Sequence, residues 1–312
     1  MVDAECRMNR WKRRQLDDRY SLQEDLKDQS MSKVKIISDS TCDLSEELLI
    51  QYDIAVLPHP IVRDGELLQD NVSITPDDIY AHYERTGRLC TTSAPNAYDY
   101  EQFWRPWLDE GYEIVHFTIS SEMSTAYNQA VLAAEEMGHV YPVDSRSLST
   151  GIGLLVLEAC DLRDQGFAAE EIAARVREDS AKCQASFLVD VIEYLWKGGR
   201  CSSVAAIGAN LLKLKPRIDV QNGKMLSTKK YRGKTTKCFA AYADDLLKGK
   251  DNIRQNRIFI THSGIDEDII QLVQDKIRQW QPGVEHIYVT RAGGTISCHC
   301  GPGTLGILYM YE

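Results

Sequence analysis

The chain has 312 residues, of which 43% are hydrophobic and 26% charged, and a formal net charge of −10. That acidic balance excludes an ordinary nucleic-acid binder, whose footprint is basic, and the length allows two domains or one large α/β domain. The nine cysteines (6, 42, 90, 160, 183, 201, 238, 298 and 300) follow no pairing framework, so reduced thiols and a cytoplasmic setting are expected.

No signal-peptide core opens the chain, and no apolar run is long enough for stable membrane insertion. Residues 1–31 mix basic Arg10, Lys12, Arg13 and Arg14 with acidic Asp17, Asp18, Glu24 and Asp25. Their sparse apolar spacing reads as a charged helix or a disordered extension, with Met31 an alternative start. From Val34 the pattern turns to alternating β and α. Strands are expected at Val34–Ile37, Ile54–Leu57, Pro60–Val62, Ile114–Ile119 and Val140–Val143. Helices are expected from Glu46 to Tyr52, from Thr75 with Pro76 in its first turn, from Asn96 or Asp99 to Leu108, from Ser124 to Met137, and over Ile152–Arg163 and Ala169–Ser180. Strand–helix alternation of this kind builds a mostly parallel sheet flanked by helices.

The second half differs. Strands are expected at Ser186–Val189, Lys215–Val220, Lys224–Tyr231, Ile258–Thr261 and Ile287–Thr290, with Asn222-Gly223 marking a hairpin, so this sheet is mixed or antiparallel. Helices are expected at Val191–Lys197, Val204–Leu212, Thr235–Leu247 and Asp266–Trp280. The fold class is therefore α/β in two domains, 33–182 and 183–312, after the extension.

Three hydroxyl-rich stretches stand at strand-to-helix or Gly/Pro turns, where backbone N–H groups lack partners and can meet an anion. They are Thr91-Thr92-Ser93-Ala94-Pro95, Ser120-Ser121-Glu122-Met123-Ser124-Thr125 and His299-Cys300-Gly301-Pro302-Gly303. Ser124 is placed to cap its helix or to hold a ligand. His299 can donate to a carboxylate. Read as an extended segment, its neighbours Cys298 and Cys300 face away from it, and no metal site is expected. Gly198-Gly199 reads as a helix C-cap with Arg200 available for an anion. The chain has neither a GxxxxGK[ST] phosphate loop nor a G-x-S-x-G elbow, and His262 reads as a strand-end histidine.

In this order the motifs resemble the DegV family over residues 33–312. They are Ile36-Ile37-Ser38-Asp39-Ser40-Thr41-Cys42-Asp43-Leu44, Thr92-Ser93-Ala94-Pro95, Ser120-Ser121-Glu122-Met123-Ser124, Asp144-Ser145, Leu195 to Arg200, Lys215-Pro216 and His299-Cys300-Gly301-Pro302-Gly303. The resemblance implies a protein that is not an enzyme by itself. It would hold one long-chain fatty acid between its domains and present the carboxylate to the catalytic subunit of a fatty-acid kinase, which forms an acyl phosphate. It further implies that Thr92, Ser124 (or Ser121) and His299 hold the carboxylate, with Ser93 beside them and Arg200 supporting the head group. No cofactor is implied for this chain, because ATP and metal belong to the kinase. The alternative is a hydrolase of acyl or phosphate esters with Ser124 or Ser121 as nucleophile and His299 as base. Two departures from the family pattern are Ser124-Thr125-Ala126, where Ser-Gly-Thr is common, and the cysteines beside His299. A Cβ in place of that glycine is expected to narrow the loop's conformations.

Overall fold

The computed structural model describes residues 33–201 and 214–312, so the extension and the expected helix Val204–Leu212 lie outside the described residues. The first half begins with β1 (Lys33–Asp39), α1 (Glu46–Gln51), β2 (Ile54–Leu57), β3 (Pro60–Arg63), β4 (Glu66–Gln69), α2 (Pro76–Thr86) and β5 (Thr91–Thr92). It continues with α3 (Ala97–Asp109), β6 (Tyr112–Thr118), α4 (Ala126–Met137), β7 (Val140–Asp144), α5 (Thr150–Asp164) and α6 (Ala169–Asp179). The second half runs β8 (Cys183–Leu188), α7 (Ile192–Gly198), β9 (Leu214–Gln221), β10 (Lys224–Arg232), α8 (Thr235–Leu247) and β11 (Ile253–His262). It ends with α9 (Glu267–Trp280), β12 (His286–Arg291), α10 (Gly294–Cys300) and β13 (Leu305–Tyr311).

Strands β2-β1-β6-β7 form a four-stranded sheet in which every pairing is parallel. Its strands are short and nearly continuous in apolar character because helices cover both faces. A small antiparallel sheet, β4-β3-β5, sits beside it and carries Thr91 and Thr92 on its edge. The second half builds a six-stranded sheet, β10-β9-β8-β13-β11-β12, mostly antiparallel with β11 and β12 parallel. Helix starts follow local chemistry. Thr75 and Asn96 each form a reciprocal capping box with the aspartate three residues on, and Pro76 occupies the first turn of α2.

One large apolar cluster includes Ile36, Val115 and Phe117 from the parallel sheet, Leu155 and Leu157 from α5, and Phe187, Ile218, Phe259 and Leu308 from the mixed sheet. Helix α5 is apolar around almost its whole circumference because it lies between the two sheets.

Four elements depart from the sequence expectation. Strands β4 and β5 were not expected. Strand β13 is an uninterrupted apolar run, Leu-Gly-Ile-Leu-Tyr-Met-Tyr, and lies at the centre of the mixed sheet between β8 and β11. The segment around His299 is not extended but forms the short helix α10. Its N-terminal N–H groups are taken by carboxylates from far away in the chain. Gly293 donates to Asp43 Oδ1 at 2.8 Å, Gly294 to Asp70 Oδ1 at 2.6 Å, and Thr295 to Asp70 Oδ2 at 3.0 Å. Burial, with Asp70 close by, pushes the Asp43 carboxyl up to about 8, against the hydrogen bonds from Ser149 and Gly293.

Candidate functional site

Ligands of open α/β sheets bind beyond the carboxyl ends of the strands. Here the residues just past β1 and β6 and the far end of α10 surround a cavity of about 380 Å³. That volume falls in the range of small-molecule pockets. Thr92, Ser93, Ser121, Ser124, Arg200 and His299, the six residues singled out from sequence, all line it. Ile119, Met123, Leu148, Met225 and Ile296 supply apolar wall.

Thr92 Oγ1 lies 2.8 Å from His299 Nε2, joining the edge strand β5 to helix α10 across 207 positions of sequence. The other ring nitrogen, Nδ1, is buried without a partner among the described residues. The proton is therefore best carried on Nε2, where an oxygen can accept it. Burial, reinforced by the Arg200 guanidinium, lowers the His299 imidazole to about 4, so the ring is neutral near pH 7. A neutral ring donates a hydrogen bond without placing an unpaired charge in the wall.

The Gly198-Gly199-Arg200 motif has a packing cause. A Cβ on residue 198 would stand 2.5 Å from His299 Nδ1, so glycine there makes room for the ring. Gly199 closes α7 in the left-handed conformation, φ 69°. Arg200 then emerges exposed at the cavity rim, its guanidinium donating to the Gly198 carbonyl at 2.8 Å.

The serines of the 120–124 loop differ in their duties. Ser120 is buried and donates to the Gly223 carbonyl at 2.8 Å. Ser121 donates to Asp144 Oδ2 at 2.5 Å and accepts from Arg146 at 3.2 Å. Among the described residues, Ser124 Oγ only accepts a bond of 3.2 Å from the Ala126 N–H, which leaves its hydroxyl proton for a ligand. Ser124 is not the N-cap expected for α4. That position falls to Thr125, which makes no side-chain cap. Thr125 sits at φ −84°, a region open to any residue, so the missing family glycine imposes no backbone cost here. Among the described residues no hydrogen bond joins Ser121 or Ser124 to a histidine.

The cysteines around His299 are on a helix, not on one side of an extended segment. Cys298 packs with Ile61, Leu68, Ile74, Ile79 and Cys90, whereas Cys300 reaches the cavity wall. Burial pushes the Cys300 thiol up to about 12 and Cys298 well above its ordinary value, so neither is a reactive thiolate. His262, at the end of β11, accepts a 3.3 Å bond from the Gly264 N–H and behaves as the strand-end histidine expected.

Sequence reasoning missed Thr41, His59, Asn128 and Thr295, which also line the cavity. His59 stands between Pro58 and Pro60, a rigid setting that was a usable signal. Its Nε2 lies 3.0 Å from Asp39 Oδ2, an ion-pair distance without hydrogen-bond alignment. Asp39 Oδ1 accepts from His116 Nε2 at 3.0 Å and from the Tyr100 hydroxyl at 3.1 Å. Trp104 Nε1 donates to His116 Nδ1 at 2.9 Å, which fixes the His116 proton on Nε2. Burial alone would raise the Asp39 carboxyl, but His59 beside it and the hydrogen bond from His116 outweigh that and hold Asp39 far below the usual range.

Residues 33–312 match the model of the family described as "Uncharacterised protein, DegV family". The chain belongs to the DegV family. A DegV domain-containing protein of Clostridium acetobutylicum is 30% identical over 282 residues, covering 90% of this chain and 99% of the relative. A Thermotoga maritima protein named "Fatty acid-binding protein" is 31% identical over 282 residues, covering 88% of this chain and 96% of the relative. Among solved structures, one described as "Fatty Acid Binding of a DegV family Protein from Thermus thermophilus" superposes with a TM-score of 0.81 at 28% identity, covering 90% of this chain and 100% of that one. This DegV chain therefore shares its α/β architecture with a solved relative over nearly its whole described length. No helix among its described residues is long and apolar enough to cross a membrane.

Proposed function

We propose that this DegV protein binds one long-chain fatty acid between its 33–182 and 183–312 halves and presents the carboxylate to a fatty-acid kinase. The observation that carries this reading is the Thr92–His299 pair at 2.8 Å in the wall of a cavity lined from both halves. A carboxylate oxygen entering there accepts from the Thr92 hydroxyl and the neutral His299 Nε2–H, with Ser124 as a third donor. Ser121, committed to Asp144, is the weaker candidate, and Ser93 borders the group. Arg200, exposed at the rim, offers the nearby charge that a desolvated carboxylate needs.

The apolar wall serves the alkyl chain. A separate small void of about 20 Å³ shares Leu148, Ile296 and Cys300 with the main cavity and is lined also by Phe187 and Leu308, which supports a tail running in that direction. Burial contributes roughly 0.8 kcal/mol per CH₂, so a tail of about sixteen carbons supplies on the order of 10 kcal/mol before ordering costs. Affinity then comes from the tail, and position from the clamp. The kinase as partner and the acyl phosphate as product follow from the family resemblance. A hydrolase has less support, since His299 is paired with a threonine and, among the described residues, neither candidate serine is hydrogen-bonded to a histidine.

Native mass spectrometry of protein purified from bacteria tests the reading directly. A co-purified mass matching a fatty acid is expected, whereas an empty protein with intrinsic esterase turnover would sink it. With a fatty-acid kinase supplied, Thr92→Ala and His299→Ala are each expected to lower acyl-phosphate formation by about tenfold, the worth of one to two hydrogen bonds, and lipid affinity by less. Equal losses in both would show that the pair only retains the lipid.

A further inference from the structure

The same cavity contains a second set of polar groups that the carboxylate clamp does not use. Thr41 Oγ1 and Thr295 Oγ1 are buried and have no hydrogen-bond partner among the described residues, and the Thr41 and Thr295 residues are 0% and 5% exposed. His59, 2% exposed, lines the cavity with them while its Nε2 rests against Asp39. The three come from the turn after β1, the loop before β3 and the first turn of α10. One hub holds their backbones together. Ser40 Oγ donates to Asp70 Oδ2 at 2.9 Å and accepts from the His59 N–H at 3.1 Å, while the Thr295 N–H donates to the same Asp70 oxygen.

The geometry points to a subsite for a hydroxyl group carried on the acyl chain near its carboxyl end, built from Thr41, Thr295 and His59. This rests on the fatty-acid reading of the cavity. A plain methylene chain laid over these groups leaves buried donors and acceptors unpaired, which is unfavourable. A hydroxyl both donates and accepts, so it can satisfy two of them at once. Position follows from helix geometry. Thr295 and His299 are four residues apart on α10 and so share a face, with Cβ atoms about 5–6 Å apart. That spacing matches a substituent on the first few carbons after a carboxylate held at His299, and not one at the far end of the tail. Sites made to bond a hydroxyl discriminate strongly against analogues that lack it.

The test is a set of delipidated-protein titrations with hexadecanoic acid and its derivatives hydroxylated at the second, third, fourth or terminal carbon. At least one derivative with the hydroxyl near the carboxylate is expected to bind about five- to tenfold tighter than the parent acid, with no gain for the terminal one. Thr295→Val and Thr41→Val are expected to remove that preference, and Thr295→Ser, which keeps the hydroxyl, to retain it. Binding of the parent acid with no preference for any derivative overturns the subsite and leaves the fatty-acid reading standing; the three groups then hold water. Loss of parent-acid affinity in Thr295→Val comparable to that in Thr92→Ala also overturns it, because the group would then serve the carboxylate. Failure of every acid to bind overturns the subsite together with the reading beneath it.

Discussion

His299 shows how one buried side chain links packing, protonation and binding. Its ring fills the space left by Gly198, its Nε2 meets Thr92, and its Nδ1 has no partner among the described residues. The neutral form is therefore built into the fold. Because the folded imidazole titrates near 4 and an unfolded one near 6.5, the unfolded state binds more protons between those values. The stability that the neutral His299 contributes to the ligand-free protein is thus fully present above about pH 6.5 and is lost as pH falls from there through about 4. His299→Gln has no titrating group there, so its melting temperature is expected to fall less than that of the wild type between pH 6.5 and 4. Parallel acid profiles for the two proteins would show that other groups set the acid limb and that His299 is charged in the folded state.

At the scale of elements, helix α10 explains what was legible in the sequence and what was not. Helices α2 and α3 were readable because Thr75, Pro76 and Asn96 supply their own caps within four residues. The hairpin at Asn222-Gly223 was readable for a similar local reason, and it joins β9 and β10 as expected. The start of α10 has only Gly293 and Gly294, and its caps arrive from Asp43 and Asp70, some 220 to 250 positions away. No local pattern carries that information, so the segment read as extended. Strand β13 failed differently: its unbroken apolar run was a usable sign of a central strand buried on both faces. The six residues drawn from motifs do meet at one cavity, but Thr41 and Thr295 escaped because nothing but tertiary folding brings them there, whereas His59 had a sign in its flanking prolines. Asp70 carries the largest share of the capping, accepting from Gly294, Thr295 and Ser40. Asp70→Ala is expected to cost about 3 kcal/mol in urea unfolding, since it orphans buried donors and removes a charge-assisted cap. A cost below about 1 kcal/mol would mean that Asp43 alone sustains the helix. Because α10 carries both His299 and Thr295, the same variant is expected to weaken fatty-acid binding even where it remains folded.

On the scale of the whole molecule, the β9–β10 hairpin ties the second half to the first across the cavity. Its tip is held by Ser120, which donates to the Gly223 carbonyl at 2.8 Å, and by Arg146, which donates to the Asn222 carbonyl. Lys224 adds an ion pair of 3.2 Å to Glu122, and the next residue, Met225, forms part of the cavity wall. The Ser120 bond is buried and neutral; the Lys224–Glu122 pair is exposed, and such pairs contribute little alone. A ligand whose tail is enclosed leaves only when some part of this wall yields, and a tip fastened by few bonds is a place where local opening is least costly. Ser120→Ala deletes the buried bond and leaves the Gly223 carbonyl without that partner, while Lys224→Glu sets two like charges together at the tip. The double variant is expected to release a bound fatty acid about tenfold faster than wild type in a stopped-flow displacement assay, with the association rate changed much less, since affinity differences within one site fall mostly on dissociation. Faster amide exchange over residues 221–225 should accompany it. If release is unchanged while exchange at the tip rises, the hairpin opens without freeing the ligand, and the exit lies on the Thr92–Arg200 side of the cavity.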